Sequence, residues 1–166
     1  MIVAIEGEVV KKEPTFLHLK LANGLTYFVH ISINSSAKIS STHITLHTTQ
    51  IIKEDSHALY GFVDQLEKSL FDRVIKINGV GPSTALAICS TFTPEAFSHA
   101  VLGQDVNALK AVPGIGPKSA KRILVELGDF QEFADSKFSF DLIFTRWIMS
   151  LFNILTSKSS SWLGGG

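Results

Sequence analysis

Two short segments stand 35 residues apart and repeat the same pattern: Gly79-Val80-Gly81-Pro82-Ser83 and Gly114-Ile115-Gly116-Pro117-Lys118. Glycines permit a sharp turn and close backbone approach, and proline at a first helical position preorganises the helix that follows. The turn then leaves unpaired N–H groups at a helix N-terminus carrying roughly half a positive charge, where a phosphate oxygen can be held without reading any base. The aliphatic between the glycines, Val80 or Ile115, is expected to plug the turn into the core. A single Gly-x-Gly is an ordinary tight turn between helices. Two copies, each flanked by helical sequence, favour a pair of DNA-binding helix-hairpin-helix units.

Basic residues are distributed unevenly around the two copies. Lys110, Lys118, Lys121 and Arg122 surround the second, with no acidic residue over 106–125. Near the first, Arg73 and Lys76 are partly offset by Asp72, and Ser83 occupies the position of Lys118. The second hairpin is therefore the stronger predicted phosphate site, while the first must rely on backbone amides and a serine hydroxyl. A charge cluster is usually a solvated helix face; it is the adjacent turn that gives Lys118, Lys121 and Arg122 a DNA role. Fifteen basic and fifteen acidic residues balance to a net charge of zero, so phosphate binding must be local, not a matter of bulk charge.

These turns need helices to position them. From 64 onward the apolar residues Leu66, Leu70, Phe71, Val74, Ile75 and Ile77 share one broad helical face. Further helices are predicted over 83–91, after Thr93-Pro94 as cap and first residue, over 104–111 and over 117–127. Before residue 64 the period is that of strands, over 2–10, 15–21, 25–33, 44–53 and 58–62, with Asn23-Gly24 as a hairpin signal. Five strands in so short a segment suggest a small barrel of oligonucleotide-binding type. The fold class is α+β and multidomain: a barrel over 1–63, an all-α tandem helix-hairpin-helix domain over 64–130, and a tail of different composition over 131–166.

Other chemistry finds little support. Gly114 to Ser119 lacks the spacing of a nucleotide-binding phosphate loop. The six histidines offer no metal-ligand spacing, so no metal or cofactor is expected. Cys89 lies in an apolar helical stretch and reads as a core residue, and a single cysteine excludes an internal disulfide. No catalytic residue is assigned. A glycosylase or nuclease scaffold would need an acid or lysine beside a hairpin, and Asp129 stands there without a partner. The start of the chain has no secretory pattern, and the apolar run 142–155 is broken by Arg146 and too short to span a bilayer. A cytoplasmic protein without membrane contact is expected.

Together with Glu54-Asp55-Ser56-His57-Ala58-Leu59-Tyr60-Gly61-Phe62, the motifs Gly-Val-Gly-Pro and Pro-Gly-Ile-Gly occur in an order and spacing that closely resemble the RuvA family, the DNA-binding subunits of the bacterial Holliday-junction branch-migration machinery. The resemblance covers about residues 1–130. It implies a barrel of oligonucleotide-binding type, tandem helix-hairpin-helix motifs, and a fourfold homotetramer, with an octamer as the alternative, that holds four-way junction DNA during recombination and repair. It assigns Glu54 and Asp55 to an acidic pin at the junction centre, where negative charge repels phosphates and guides strands apart. By composition alone that pair is a solvated turn. Implied partners are a RuvB-type ATPase motor and a RuvC-type resolvase. The segment 131–166 does not match the linker and small helical third domain through which the family binds its motor. It reads either as an unrelated tail from a shifted frame or truncated gene, the preferred reading, or as a divergent interaction helix over 138–155. A general architectural DNA-binding protein without motor coupling is the alternative function.

Overall fold

The computed structural model describes residues 1–128, of which those up to Glu126 form one compact unit. Asp129 and the predicted tail over 131–166 lie outside the described residues. Five strands, β1 (Ala4–Lys12), β2 (Phe16–Lys20), β3 (Thr26–Ile31), β4 (His43–Ile52) and β5 (His57–Phe62), close into a barrel in the order β1-β2-β3-β5-β4. All pairs are antiparallel except β3 with β5, which meet in parallel at His30 with Tyr60 and Ile31 with Gly61.

Alternation explains why the barrel closes. Leu17 and Leu19 of β2 lie beside Val29 and Ile31 of the adjacent β3 on the inner wall, and all four are fully buried. Each such side chain contributes about 1.5 to 3 kcal/mol relative to exposure. The intervening Phe16, His18, Phe28 and His30 form a layer of rings on the outer side, with Phe16 stacked on Phe28 at 4.7 Å.

The strands match the five predicted from alternation, with two differences. At Asn23-Gly24 only the glycine takes positive φ, at +87°, and Leu21 N–H closes onto the Leu25 carbonyl, giving a three-residue loop. The third strand stops at Ile31, and 33 opens a helix that periodicity did not predict, α1 (Ile33–Lys38). Ser32 caps it by accepting from the Ser35 N–H. A serine cap in a serine-rich stretch between strands has the composition of a linker, which hides so short a helix.

The helical part comprises α2 (Gln65–Val74), α3 (Pro82–Thr91), α4 (Pro94–Leu102), α5 (Val106–Lys110) and α6 (Pro117–Gly128). Thr93 caps α4 from its side chain, and Asp105 caps α5, which is shorter than predicted because Gln104 adopts a left-handed φ of +52°. In α2 the predicted apolar face is buried at Leu70, Phe71 and Val74 but fails at its first turn. Leu66 is 61% exposed, whereas Glu67 is only 2% exposed. The unforeseen α1 is the cause: its Ser32 and Ser35 hydroxyls donate to the Glu67 carboxylate and so satisfy it in the interior. Cys89 is fully buried, as expected of a core residue; burial, with Glu67 and Asp72 adding to it, pushes its thiol far above the ordinary range and makes it unreactive.

Candidate nucleic-acid interface

The two Gly-x-Gly segments fold identically, hydrogen bond for hydrogen bond. In the first, Ile77 N–H donates to the Val74 carbonyl at 3.1 Å, Val80 N–H to Ile77 at 3.0 Å and Ala85 N–H to Gly81 at 2.9 Å. In the second, the same bonds run from Val112 to Leu109 at 3.2 Å, Ile115 to Val112 at 3.1 Å and Ala120 to Gly116 at 2.9 Å. Gly79 has φ +88° and Gly114 has φ +87°. Side chains with a Cβ occupy that region at a cost of about 1 to 2 kcal/mol, which explains glycine at both places.

Val80 and Ile115 are buried, and their N–H groups are engaged within the turns. Their side chains plug each hairpin into the core, together with the matched pairs Ile77 with Val112, Ala85 with Ala120 and Ile88 with Ile123. The backbone N–H groups of Gly81, Ser83 and Thr84, and of Gly116, Lys118 and Ser119, have no acceptor among the described residues. They are the unpaired donors at the N-termini of α3 and α6, where the helix dipoles favour an anion.

The loops pack crosswise. Arg122 of α6 donates from Nη1 to the Asn78 carbonyl of the first loop at 3.3 Å. A shallow cleft of about 230 Å³ runs between that loop and the start of α6, bounded by Asn78, Gly79, Lys118, Ser119 and Arg122. In the other direction, a Cβ on Gly114 would lie 3.6 Å from Thr84 Oγ1 of α3. Asn78, Thr84 and Ser119 were not singled out by sequence, although Thr84 and Ser119 are related by the same 35-residue offset. Lys118 and Lys121 are exposed, as is Ser83. Arg122 is exposed too, but it braces the first loop as well as presenting charge.

Glu54 and Asp55 sit at the tip of the β4–β5 hairpin, closed by Lys53 N–H donating to the Ser56 carbonyl at 2.7 Å. Both are exposed, and neither has an ion-pair partner among the described residues. The tip thus carries two adjacent negative charges at the end of a two-stranded arm. Among the described residues no group of three or more His, Cys, Asp or Glu is arranged to hold a metal, and no helix is long and apolar enough to cross a membrane.

A closed barrel of oligonucleotide-binding topology, followed by paired helix-hairpin-helix units with open amide termini, defines a tandem helix-hairpin-helix protein. Residues 1–61 match the RuvA N-terminal domain family and residues 71–129 match the SAM-like helix-hairpin-helix tandem family. Proteins named Holliday junction branch migration complex subunit RuvA are similar over most of the chain. The one from Campylobacter curvus is 52% identical over 136 residues, covering 81% of this chain and 74% of that protein. The one from Nitratiruptor is 62% identical over 130 residues, 78% of this chain and 70% of the relative; that from Sulfurimonas denitrificans is 51% identical over 130 residues, 78% and 69%. The chain belongs to the RuvA family.

Proposed function

We propose that this chain binds four-way Holliday-junction DNA and serves as the non-catalytic, DNA-gripping subunit of a branch-migration complex in recombination and repair. The matched pair of hairpins carries the reading: two helix N-termini with unpaired amides, braced against each other, suit two phosphates of one duplex backbone. Gly79, Gly81 and Ser83 form the first site, and Gly114, Gly116, Lys118, Lys121 and Arg122 the second, with Val80 and Ile115 holding the loops in shape. The net charge of zero suits a protein whose affinity is concentrated at such sites and whose acidic tip repels phosphate elsewhere.

Glu54 and Asp55 act as the pin at the crossover. The barrel over 1–63 and the helical part over 64–130 act as two functional domains, and self-assembly into a fourfold ring, or an octamer, brings several pins to one point. Mechanical work comes from a separate RuvB-type ATPase, and cleavage from a RuvC-type resolvase, in the cytoplasm. The test is to add the chain to a RuvB-type ATPase with junction DNA. Junction-dependent stimulation of ATP hydrolysis and strand exchange is expected. Tight DNA binding without stimulation would instead indicate an architectural DNA-binding protein uncoupled from a motor.

A further inference from the structure

Helix α2 touches both halves of the proposed interface. At its first turn the Glu67 carboxylate accepts from Ser32 Oγ and, at 2.8 Å, from Ser35 Oγ of α1. Ser35 Oγ in turn accepts from the Val63 N–H at 3.1 Å, just where the barrel ends. Further along, Asp72 reaches the barrel wall: Oδ1 accepts from Thr49 Oγ1 of β4 at 2.5 Å, and Oδ2 from Lys68 Nζ at 2.6 Å. Thr49 is paired in register with Tyr60 of β5, whose ring stacks on Phe71 of α2 at 5.0 Å. The strands so gripped, β4 and β5, end in the Glu54-Asp55 tip, and α2 itself runs into the first Gly-x-Gly turn.

Burying a carboxylate is costly, and an apolar contact of similar shape would hold two elements together at least as well. Apolar surfaces, however, can slide, whereas directional bonds from Ser32 and Ser35 to the two oxygens of Glu67 and from Thr49 to Asp72 Oδ1 fix an angle, with Lys68 of the same helix holding Asp72 Oδ2 in place. That precision has a use. Repulsion between an exposed acid and a phosphate is screened over about 8 Å at physiological salt, so a pin displaced by a few ångströms acts on different phosphates.

We infer that Glu67 and Asp72 are positioning residues that hold the acidic tip in a set place relative to the hairpin phosphate sites, and so give the chain its preference for a four-way crossover over plain duplex. This rests on the junction-binding reading, and the test separates the two. Full-length parent, Thr49→Val, Thr49→Ser, Asp72→Asn and Glu67→Gln are compared for binding to a four-way junction and to a linear duplex of the same arm sequence at one salt concentration. Base unstacking is followed by 2-aminopurine placed at the crossover.

Thr49→Val and Asp72→Asn are expected to keep junction affinity within about twofold, lower junction preference by about fivefold or more through tighter duplex binding and weaken the 2-aminopurine signal, with Thr49→Ser restoring both. Junction preference and signal unchanged in both variants overturn the inference, as does an equal loss on junction and duplex. Glu67→Gln is expected to follow Asp72→Asn. If its buried site prevents folding, the less buried Thr49→Val decides. A parent without junction preference overturns the junction reading and this inference with it, whereas a parent whose preference survives in Thr49→Val and Asp72→Asn overturns this inference alone.

Discussion

Arg122 Nη1 donates to the Asn78 carbonyl at 3.3 Å across 44 positions of sequence, so the helix of the second hairpin holds the loop of the first. The two hairpins proposed as phosphate sites are thereby one mechanical unit, and damage to one loop is felt unequally in the other. An alanine at Gly79 must adopt φ near +88° and also place its Cβ 3.1 Å from Arg122 Nη1, whereas one at Gly114 meets only Thr84 Oγ1 at 3.6 Å. Both substitutions carry a backbone cost of about 1 to 2 kcal/mol. Gly79→Ala is expected to be the more destabilising in urea unfolding and the more damaging to DNA binding. Equal midpoints, or a larger loss for Gly114→Ala, would speak against the crosswise brace.

Lys118 is exposed at the open end of α6, one residue past Pro117, and its ammonium is free to meet a phosphate beside the Gly116 and Ser119 amides. Lys118→Ala is expected to weaken junction and duplex binding alike and to lower the slope of log affinity against log salt by about 1. Arg122→Ala should do the same and in addition loosen the first loop, so its loss should exceed that of Lys118→Ala. A salt slope unchanged by Lys118→Ala would remove that residue from the phosphate site.

The exposed Glu54 and Asp55 are expected to repel DNA locally. The double replacement Glu54→Ala with Asp55→Ala should leave junction affinity equal or raised while reducing strand separation at the crossover, read by 2-aminopurine fluorescence. A large fall in affinity in a protein with unchanged circular dichroism would contradict the pin.

His30 lies in the outer ring layer, stacked on Tyr60 at 5.0 Å and edge-on to Phe28 at 4.9 Å, and burial lowers its pKa from 6.5. The unfolded chain therefore binds this proton more readily than the folded one. The stability linked to His30 is fully present above pH 6.5 and is lost as the pH falls from there through the lower folded value. His30→Phe keeps a ring in the stack, and it should narrow the gap in melting temperature between pH 7.5 and pH 5. A gap as wide as in the parent would exclude His30 from the acid response.

Much of this was legible in the sequence because it depends on local chemistry. Gly79 and Gly114 mark positive φ, Pro82 and Pro117 mark helix starts, and the spacing of 35 makes the turns recognisable as a pair. Alternation at Leu17 and Leu19 gave the barrel its interior. What escaped depends on contacts between distant segments. Glu67 looks like a solvent residue until Ser32 and Ser35 arrive from 35 and 32 positions away, and Leu66 looks like a core residue until that exchange turns it outward. Arg122 read only as charge, because its second role depends on a carbonyl in the other hairpin. The proposed pin, Glu54 with Asp55, has no local signature, since two acids in a turn are commonplace; only order relative to the hairpins and the family resemblance single it out.

The central claim is junction recognition, and it is tested most directly by binding a four-way junction and a linear duplex of the same arm sequence at one stated salt concentration with competitor DNA present. The hairpin and pin geometry predicts a strong preference for the junction, retained when competitor is in excess. Equal binding to the two would contradict the claim and leave the chain a general helix-hairpin-helix DNA-binding protein.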